Sequence, residues 1–127
     1  MRKLLLVVIM FVFVGQAMAQ VGYTKQQVIQ RQGTEYEIGW DDDGELILHY
    51  VHYTHNGHKY LTYYFFNKDN MCIASGIADS IGKANDYIKL FDKKFVLIDK
   101  LKWKDYETGL IYKMKLNDQV CTIIIYL

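Results

Sequence analysis

Asn56-Gly57 lies between two runs rich in aromatic and β-branched residues, LILHYVHYTH before it and HKYLTYYFF after it. Asn-Gly between such runs is the strongest short-range hairpin signal, because both residues tolerate a positive φ. Leu46 to Phe66 therefore predicts one long β-hairpin. That stretch carries five of the chain's eleven tyrosines and all four of its histidines.

A two-residue turn at Asn56-Gly57 sets residue 55 opposite 58, 53 opposite 60, 51 opposite 62 and 49 opposite 64. Alternate residues of a strand share a face. One expected face carries Ile47, His49, Val51, Tyr53 and His55 with His58, Tyr60, Thr62, Tyr64 and Phe66. The other carries Leu46, Leu48, Tyr50, His52 and Thr54 with Lys59, Leu61, Tyr63 and Phe65, and Leu46, Leu48, Leu61 and Phe65 make it the more apolar and the expected core face. His49, Tyr53, Tyr60, Thr62 and Tyr64 then form an outward surface of large, stiff, amphipathic side chains, a composition suited to recognition. The same residues are good strand formers whose cross-strand pairs stabilise a sheet without any partner.

The remaining elements follow from period and caps. Thr24 caps a helix over Lys25–Gln32 that Gly33 ends, with Val28 and Ile29 inward. Tyr36 to Trp40 is a short strand, Asp41 to Gly44 a turn, and Met71 to Gly76 a fourth strand. Ile81, Ala84, Tyr87, Ile88 and Phe91 recur at helical spacing, which predicts an amphipathic helix from Ile81 to Lys94, capped by Asp79 or Ser80. Lys93 and Lys94 suit the C-terminal end of its dipole. Phe95 to Trp103 alternates as one strand. Leu110–Leu116 and Val120–Leu127 close a last hairpin through Asn117-Asp118. CTIIIYL is apolar on both faces and is expected to be central.

The expected fold is α+β: a twisted antiparallel sheet of about seven strands in the order α-β-β-β-β-α-β-β-β, with the helices on one face. Trp40-Asp-Asp-Asp-Gly-Glu-Leu-Ile parallels Trp103-Lys-Asp-Tyr-Glu-Thr-Gly-Leu-Ile, which suggests a tandem αβ repeat.

Residues 1–19 have the layout of a secretory signal peptide. Arg2 and Lys3 precede the apolar run Leu4–Val14, and Ala17-Met18-Ala19 supplies the small-x-small cleavage pattern before Gln20. The run is too short for a spanning helix, which needs about 20 apolar residues. The expected product is a single exported domain, residues 20–127, periplasmic or secreted, with no stable membrane insertion. Loss of Arg2 and Lys3 takes the formal net charge from +1 to −1, which is no footprint for nucleic acid. The export route is oxidising, where Cys72 and Cys121 can join as a disulfide. Free cysteine is equally at home in a core.

Chemical motifs are sparse. His52 falls on the opposite face from the other three histidines, and His49 lies about 20 Å along the strand from His55. Only His55 and His58 meet, and two ligands fall short of the three or four that a zinc site uses. Asp41-Asp42-Asp43-Gly44-Glu45 has Gly39 and Tyr50 where an EF-hand loop needs acidic ligands, so it reads as an acidic turn. Ser75 and Ser80 lie outside any Gly-x-Ser-x-Gly elbow. Cys72 falls about 13 Å from His52, far beyond a Cys–His dyad. Phosphate-cradling glycine motifs are absent, and no cofactor is indicated.

Gly22-Tyr-Thr-Lys-Gln-Gln-Val, followed by Gly33, resembles the opening of small bacterial envelope proteins of the BamE/SmpA-OmlA type, which share a broader fold group with β-lactamase-inhibitor-protein-like domains. The two-unit layout is similar to the tandem inhibitor-like domains. The chain lacks the lipobox cysteine typical of BamE-like lipoproteins. The resemblance implies a helix-backed sheet and a protein-binding role, and it carries over no catalytic residue. The expected function is thus a non-enzymatic, exported binding domain that recognises an envelope or extracellular protein through an aromatic sheet face. The alternative is a binder of small, lipid-like ligands in a cavity between helix Ile81–Lys94 and the sheet.

Overall fold

The structure is a computed structural model that describes residues 20–127. The signal-peptide reading falls on residues 1–19, outside the described residues.

Helix α1 spans Lys25–Gln32. Its start is a capping box: Thr24 Oγ1 accepts from Gln27 N at 3.2 Å, and Thr24 N donates to Gln27 Oε1 at 2.9 Å. Two orphan amides of the first turn are thereby satisfied. Gly33, at φ 100, ends the helix by donating its N–H to Ile29 O. Four strands follow: β1 (Glu37–Trp40), β2 (Leu46–Tyr53), β3 (Lys59–Phe66) and β4 (Cys72–Ser80). A 3-10 turn over Ile81–Lys83 leads into α2 (Ala84–Lys94). Then come β5 (Val96–Asp99), β6 (Lys102–Lys104), β7 (Ile111–Leu116) and β8 (Val120–Tyr126).

All eight strands form one sheet in the order β1-β2-β3-β4-β8-β7-β6-β5, every pair antiparallel. Each half of the chain is a helix followed by four strands, and β4 and β8 meet at the centre. The fold is α+β, as expected, with eight strands rather than seven. Phe95 to Trp103 is not one strand: it breaks at Lys100-Leu101, with Leu101 at φ 52. The two-residue connection from Asp99 to Lys102 exchanges side-chain parity, and the register shift between Leu97 and Asp99 restores it, so Leu97 pairs with Trp103 and the alternation reads as uninterrupted. β8 is central, as its two-sided apolar pattern requires.

The tryptophan match does not fall on equivalent strands. Trp40 lies on the outermost strand and is exposed, whereas Trp103 lies on β6 and is buried.

One row of cross-strand partners shows where the core sits: Ile38–Leu48–Tyr64–Ser75–Ile125–Tyr112–Trp103–Leu97. Its six inner members are all buried, and its two ends, on the edge strands, are more than half exposed. Both helices cover this face. Val28 of α1 packs with Leu48, Tyr50, Tyr64, Phe66 and Cys72. Phe91 of α2 meets Trp103 and Tyr112, each at 5.3 Å between ring centroids. The indole of Trp103 donates to Asp92 Oδ1 at 2.8 Å, which satisfies its one polar atom. Truncating a fully buried phenylalanine such as Phe91 costs about 3–5 kcal/mol.

Candidate functional site

The β2–β3 register differs by one residue from the two-residue-turn expectation. Tyr53 pairs with Lys59, Val51 with Leu61, His49 with Tyr63 and Leu48 with Tyr64. Thr54 causes the change. Its backbone N–H donates to His58 O at 2.8 Å, Gly57 N donates to its carbonyl at 2.9 Å, and its Oγ1 accepts from His58 N at 3.1 Å. Thr54 Oγ1 also contacts Asn56 Oδ1. The loop is therefore the three residues 55–57, with Gly57 at φ 85 in the left-handed position that such loops require.

A one-residue slip moves every side chain of one strand to the other face. The five surface candidates are accordingly divided. His49 and Tyr53 lie on the face without helices. Tyr60, Thr62 and Tyr64 lie on the helix face beside Leu48, Tyr50 and His52. Tyr64 is buried in the core, where burial, the largest cause, raises its phenol pKa well above the usual value.

The face without helices is nonetheless rich in apolar and aromatic groups, of a different membership. Three cross-strand rows define it. The first is Ile47–Phe65–Ala74–Tyr126–Ile111–Lys104–Val96, and the second Glu37–His49–Tyr63–Gly76–Ile124–Lys113–Lys102. The third is Val51–Leu61–Ala78–Thr122–Lys115. Along β4 the row members are Ala74, Gly76 and Ala78, so the centre is a trough paved with small residues. Tyr63 and Phe65 rise on one side of it, and Ile124 and Tyr126 on the other. All four are partly exposed. The trough is tight at its floor: a Cβ on Gly76 would meet Ile123 O at 3.4 Å and Tyr63 Cβ at 3.8 Å.

The β6–β7 flank is strongly basic. Lys102, Lys104, Lys113 and Lys115 share this face on β6 and β7, with Lys102 directly opposite Lys113. Like charges opposite each other in a ladder destabilise it, and among the described residues no carboxylate forms an ion pair with these lysines. At the other end Glu37 Oε2 meets His49 Nε2 at 2.9 Å.

A second polar centre lies on the helix face, built around Asp79 of β4. Its Oδ1 contacts His58 Nε2 at 2.6 Å and accepts from Ser80 N at 2.7 Å, while Oδ2 accepts from Tyr87 OH at 2.8 Å. Asp79 is 7% exposed and, among the described residues, is the one acidic member of the buried polar groups. Burial first, then the bond to the carboxylate, pushes the Tyr87 phenol pKa up. Cys121, the cross-strand partner of Asp79, has its thiol raised by burial and then by that negative charge. A thiol so raised is protonated at neutral pH and is a poor nucleophile. The cluster ties the hairpin loop, the end of β4 and α2 together. The sequence signal for Asp79 was its parity: Ile77 and Asp79 share a side of CIASGIADS, so a strand reaching Ser80 turns the carboxylate inward. The expectation that Asp79 or Ser80 caps the following helix is not met, since Asp79 is inside β4 and Ser80 makes no side-chain cap bond.

The other sequence candidates are placed as follows. His58 is turned to Asp79, and His55 is exposed in the loop. Among the described residues no group of three or more His, Cys, Asp or Glu is placed to hold a metal ion. Cys72 and Cys121 are both free and buried, in separate clusters, rather than joined. Cys72 pairs with Phe66, and Cys121 with Asp79 at the other end of β4, so seven residues of extended strand, about 23 Å, separate the two levels. A disulfide needs Cα atoms within about 7 Å. A hollow of about 470 Å³ lies at the C-terminal end of α2, not beneath it, lined by Lys94, Phe95, Val96, Lys104, Tyr106 and Tyr112 among others. No helix among the described residues is long and apolar enough to cross a membrane.

No family model matches this chain, and no curated protein and no solved structure matches it.

Proposed function

We propose that the chain is an exported, non-enzymatic binding domain that docks a protein partner on the open face of its sheet. The observation that carries this reading is the face itself: an apolar trough walled by Tyr63, Phe65, Ile124 and Tyr126, left uncovered while both helices crowd the opposite side. An apolar centre with aromatic walls and a charged rim is the anatomy of a recognition surface. The four lysines on β6 and β7 complete it, and their mutual repulsion favours a partner that brings carboxylates. The partner is thus a protein of the cell envelope or the extracellular space, with an apolar projection for the trough and an acidic rim beside it. The repeat of a helix and four strands supports this use, because joining the halves at β4 and β8 makes the face broad and leaves the trough at its middle.

The test is a pair of exported variants. Y63S/F65S/Y126S removes the walls, and K102E/K113E inverts the rim. Both should abolish capture of the partner while circular dichroism and melting remain close to wild type. Capture that survives the first variant would refute the reading.

The hollow beside α2 favours a second reading, a small-ligand binder, because 470 Å³ falls within the range of ligand pockets. Fatty-acid titration that shifts intrinsic fluorescence saturably, and fails to do so in a Tyr106→Ala variant, would support that reading instead.

A further inference from the structure

The sheet is open at both ends. Among the described residues β1 pairs only with β2, and β5 only with β6. An edge strand presents a row of unpaired backbone N–H and C=O groups, which is a template for another strand. Both edges are four residues long, and both are apolar. Ile38 and Trp40 on β1, and Val96 and Leu97 on β5, are all more than half exposed.

The two edges differ in charge. Residues 34–45, which hold β1 and the turn after it, carry six carboxylates and no lysine or arginine. One of the six, Glu37, is engaged by His49. Residues 93–104, which hold β5 and β6, carry six lysines and one carboxylate, Asp99. Two β1 edges brought together set carboxylates against carboxylates, and two β5 edges set lysines against lysines. Like charges opposed across a ladder destabilise it. Each edge therefore rejects its own kind and suits the other.

The strand directions agree with that choice. All eight strands are antiparallel to their neighbours, so β1 and β5 run in opposite directions. A second copy set beside β5 in the same orientation offers its β1 antiparallel, with its helices on the same side. Ile38 and Leu97 end the core row on the helix face, so parity allows Leu97 to sit opposite Ile38 of the second copy. Phe95, extended at φ −127 and ψ 173, then falls opposite the second copy's Trp40. In the same register Lys100 comes to the Glu35 end of that strand, and Lys93 to the Asp41-Asp42-Asp43 turn. Aromatic and opposite-charge pairs are the kinds that stabilise an antiparallel ladder.

We propose that the chain assembles head to tail with copies of itself, β5 of one copy adding to β1 of the next. The contact is heterologous, so every added copy leaves a free edge of each kind and growth continues past the dimer. The added strands lie in the plane of the sheet and leave the open face uncovered, so the inference does not rest on the docking reading.

The experiment is sedimentation velocity over a concentration series, on the chain as recovered from expression with its own residues 1–19. The wild type should show species larger than a dimer that grow with concentration and shrink at high salt. I38K/W40K blocks β1 and L97K/I98K blocks β5, because lysine on an edge strand blunts it. Each variant alone should stay monomeric. Mixed, the intact β5 of the first should pair with the intact β1 of the second, while the two lysine-bearing edges repel. The mixture should therefore stop at a dimer holding one of each, a recovery that also shows both variants to be folded. A wild type that is monomeric at every concentration would overturn the proposal. So would a mixture that stays monomeric, or a single variant that associates with itself.

Discussion

Replacing Asp79 by alanine tests whether the cluster on the helix face fastens the fold. The carboxylate is 7% exposed and holds three groups: His58 at 2.6 Å, Ser80 N at 2.7 Å and the Tyr87 hydroxyl at 2.8 Å. Ser80 is exposed, so its amide regains water and contributes little to the loss. Hydrogen bonds to a charged group contribute about 1.5–3 kcal/mol each. The His58 side chain is 27% exposed and rehydrates in part, so its bond belongs at or below the low end. Tyr87 is raised in pKa chiefly by burial, and its hydroxyl is left without an acceptor. Together these give a loss of about 3 kcal/mol for D79A. For a domain of this size each kcal/mol moves the melting temperature by about 4 °C, so the expected fall is about 12 °C. Y87F, which takes its donor from Asp79 Oδ2 while Oδ1 keeps His58 and Ser80 N, should lose about 2 kcal/mol. Thermal melts followed by circular dichroism measure both. A D79A melting temperature within about 3 °C of wild type would refute the view that Asp79 joins the hairpin loop to α2.

Three further outcomes follow from particular side chains. Burial lowers the imidazole pKa of His52, whose Nε2 lies 2.8 Å from Thr62 Oγ1. The unfolded chain therefore takes up this proton first, so the associated stability is complete above about pH 6.5 and falls as pH drops towards the lowered folded value. H52Q should flatten the decline in melting temperature between pH 7 and pH 5, and an unchanged slope would contradict the assignment. Cys72, with its thiol pushed up to about 11 chiefly by burial, and Cys121 should both resist a thiol reagent in the native protein. Both should react in denaturant without reductant, and two unreactive cysteines there would reveal a disulfide. F91A should cost about 3–5 kcal/mol by emptying the contact among Trp103, Tyr112 and Phe95.

The parts of the fold that were legible are those set by neighbouring residues. Thr24, Gln27 and Gly33 place α1 because its caps are local. The central position of β8 could be read from Cys121–Tyr126 because apolar groups on both parities need cover on both sides. The site was less legible, and the reason is one hydroxyl. Asn56-Gly57 announces a two-residue turn, but Thr54 closes a three-residue loop, and that slip exchanges Tyr60, Thr62 and Tyr64 for Leu61, Tyr63 and Phe65 on the open face. The walls contributed by Ile124 and Tyr126 depend on β8 pairing with β4, a contact more than forty residues apart that no local pattern encodes. Asp79 was visible as a residue but not as a centre, because His58 and Tyr87 come to it from 21 and 8 residues away.

Photo-crosslinking in the native envelope tests the open face most directly. A photoreactive residue in place of Tyr63 or of Tyr126 should give one discrete adduct of the same mass, and K102E/K113E should remove it. The same residue at Lys89, exposed on α2, should give none. An adduct at Lys89 with none at Tyr63 or Tyr126 would contradict the assignment of this face as the docking surface.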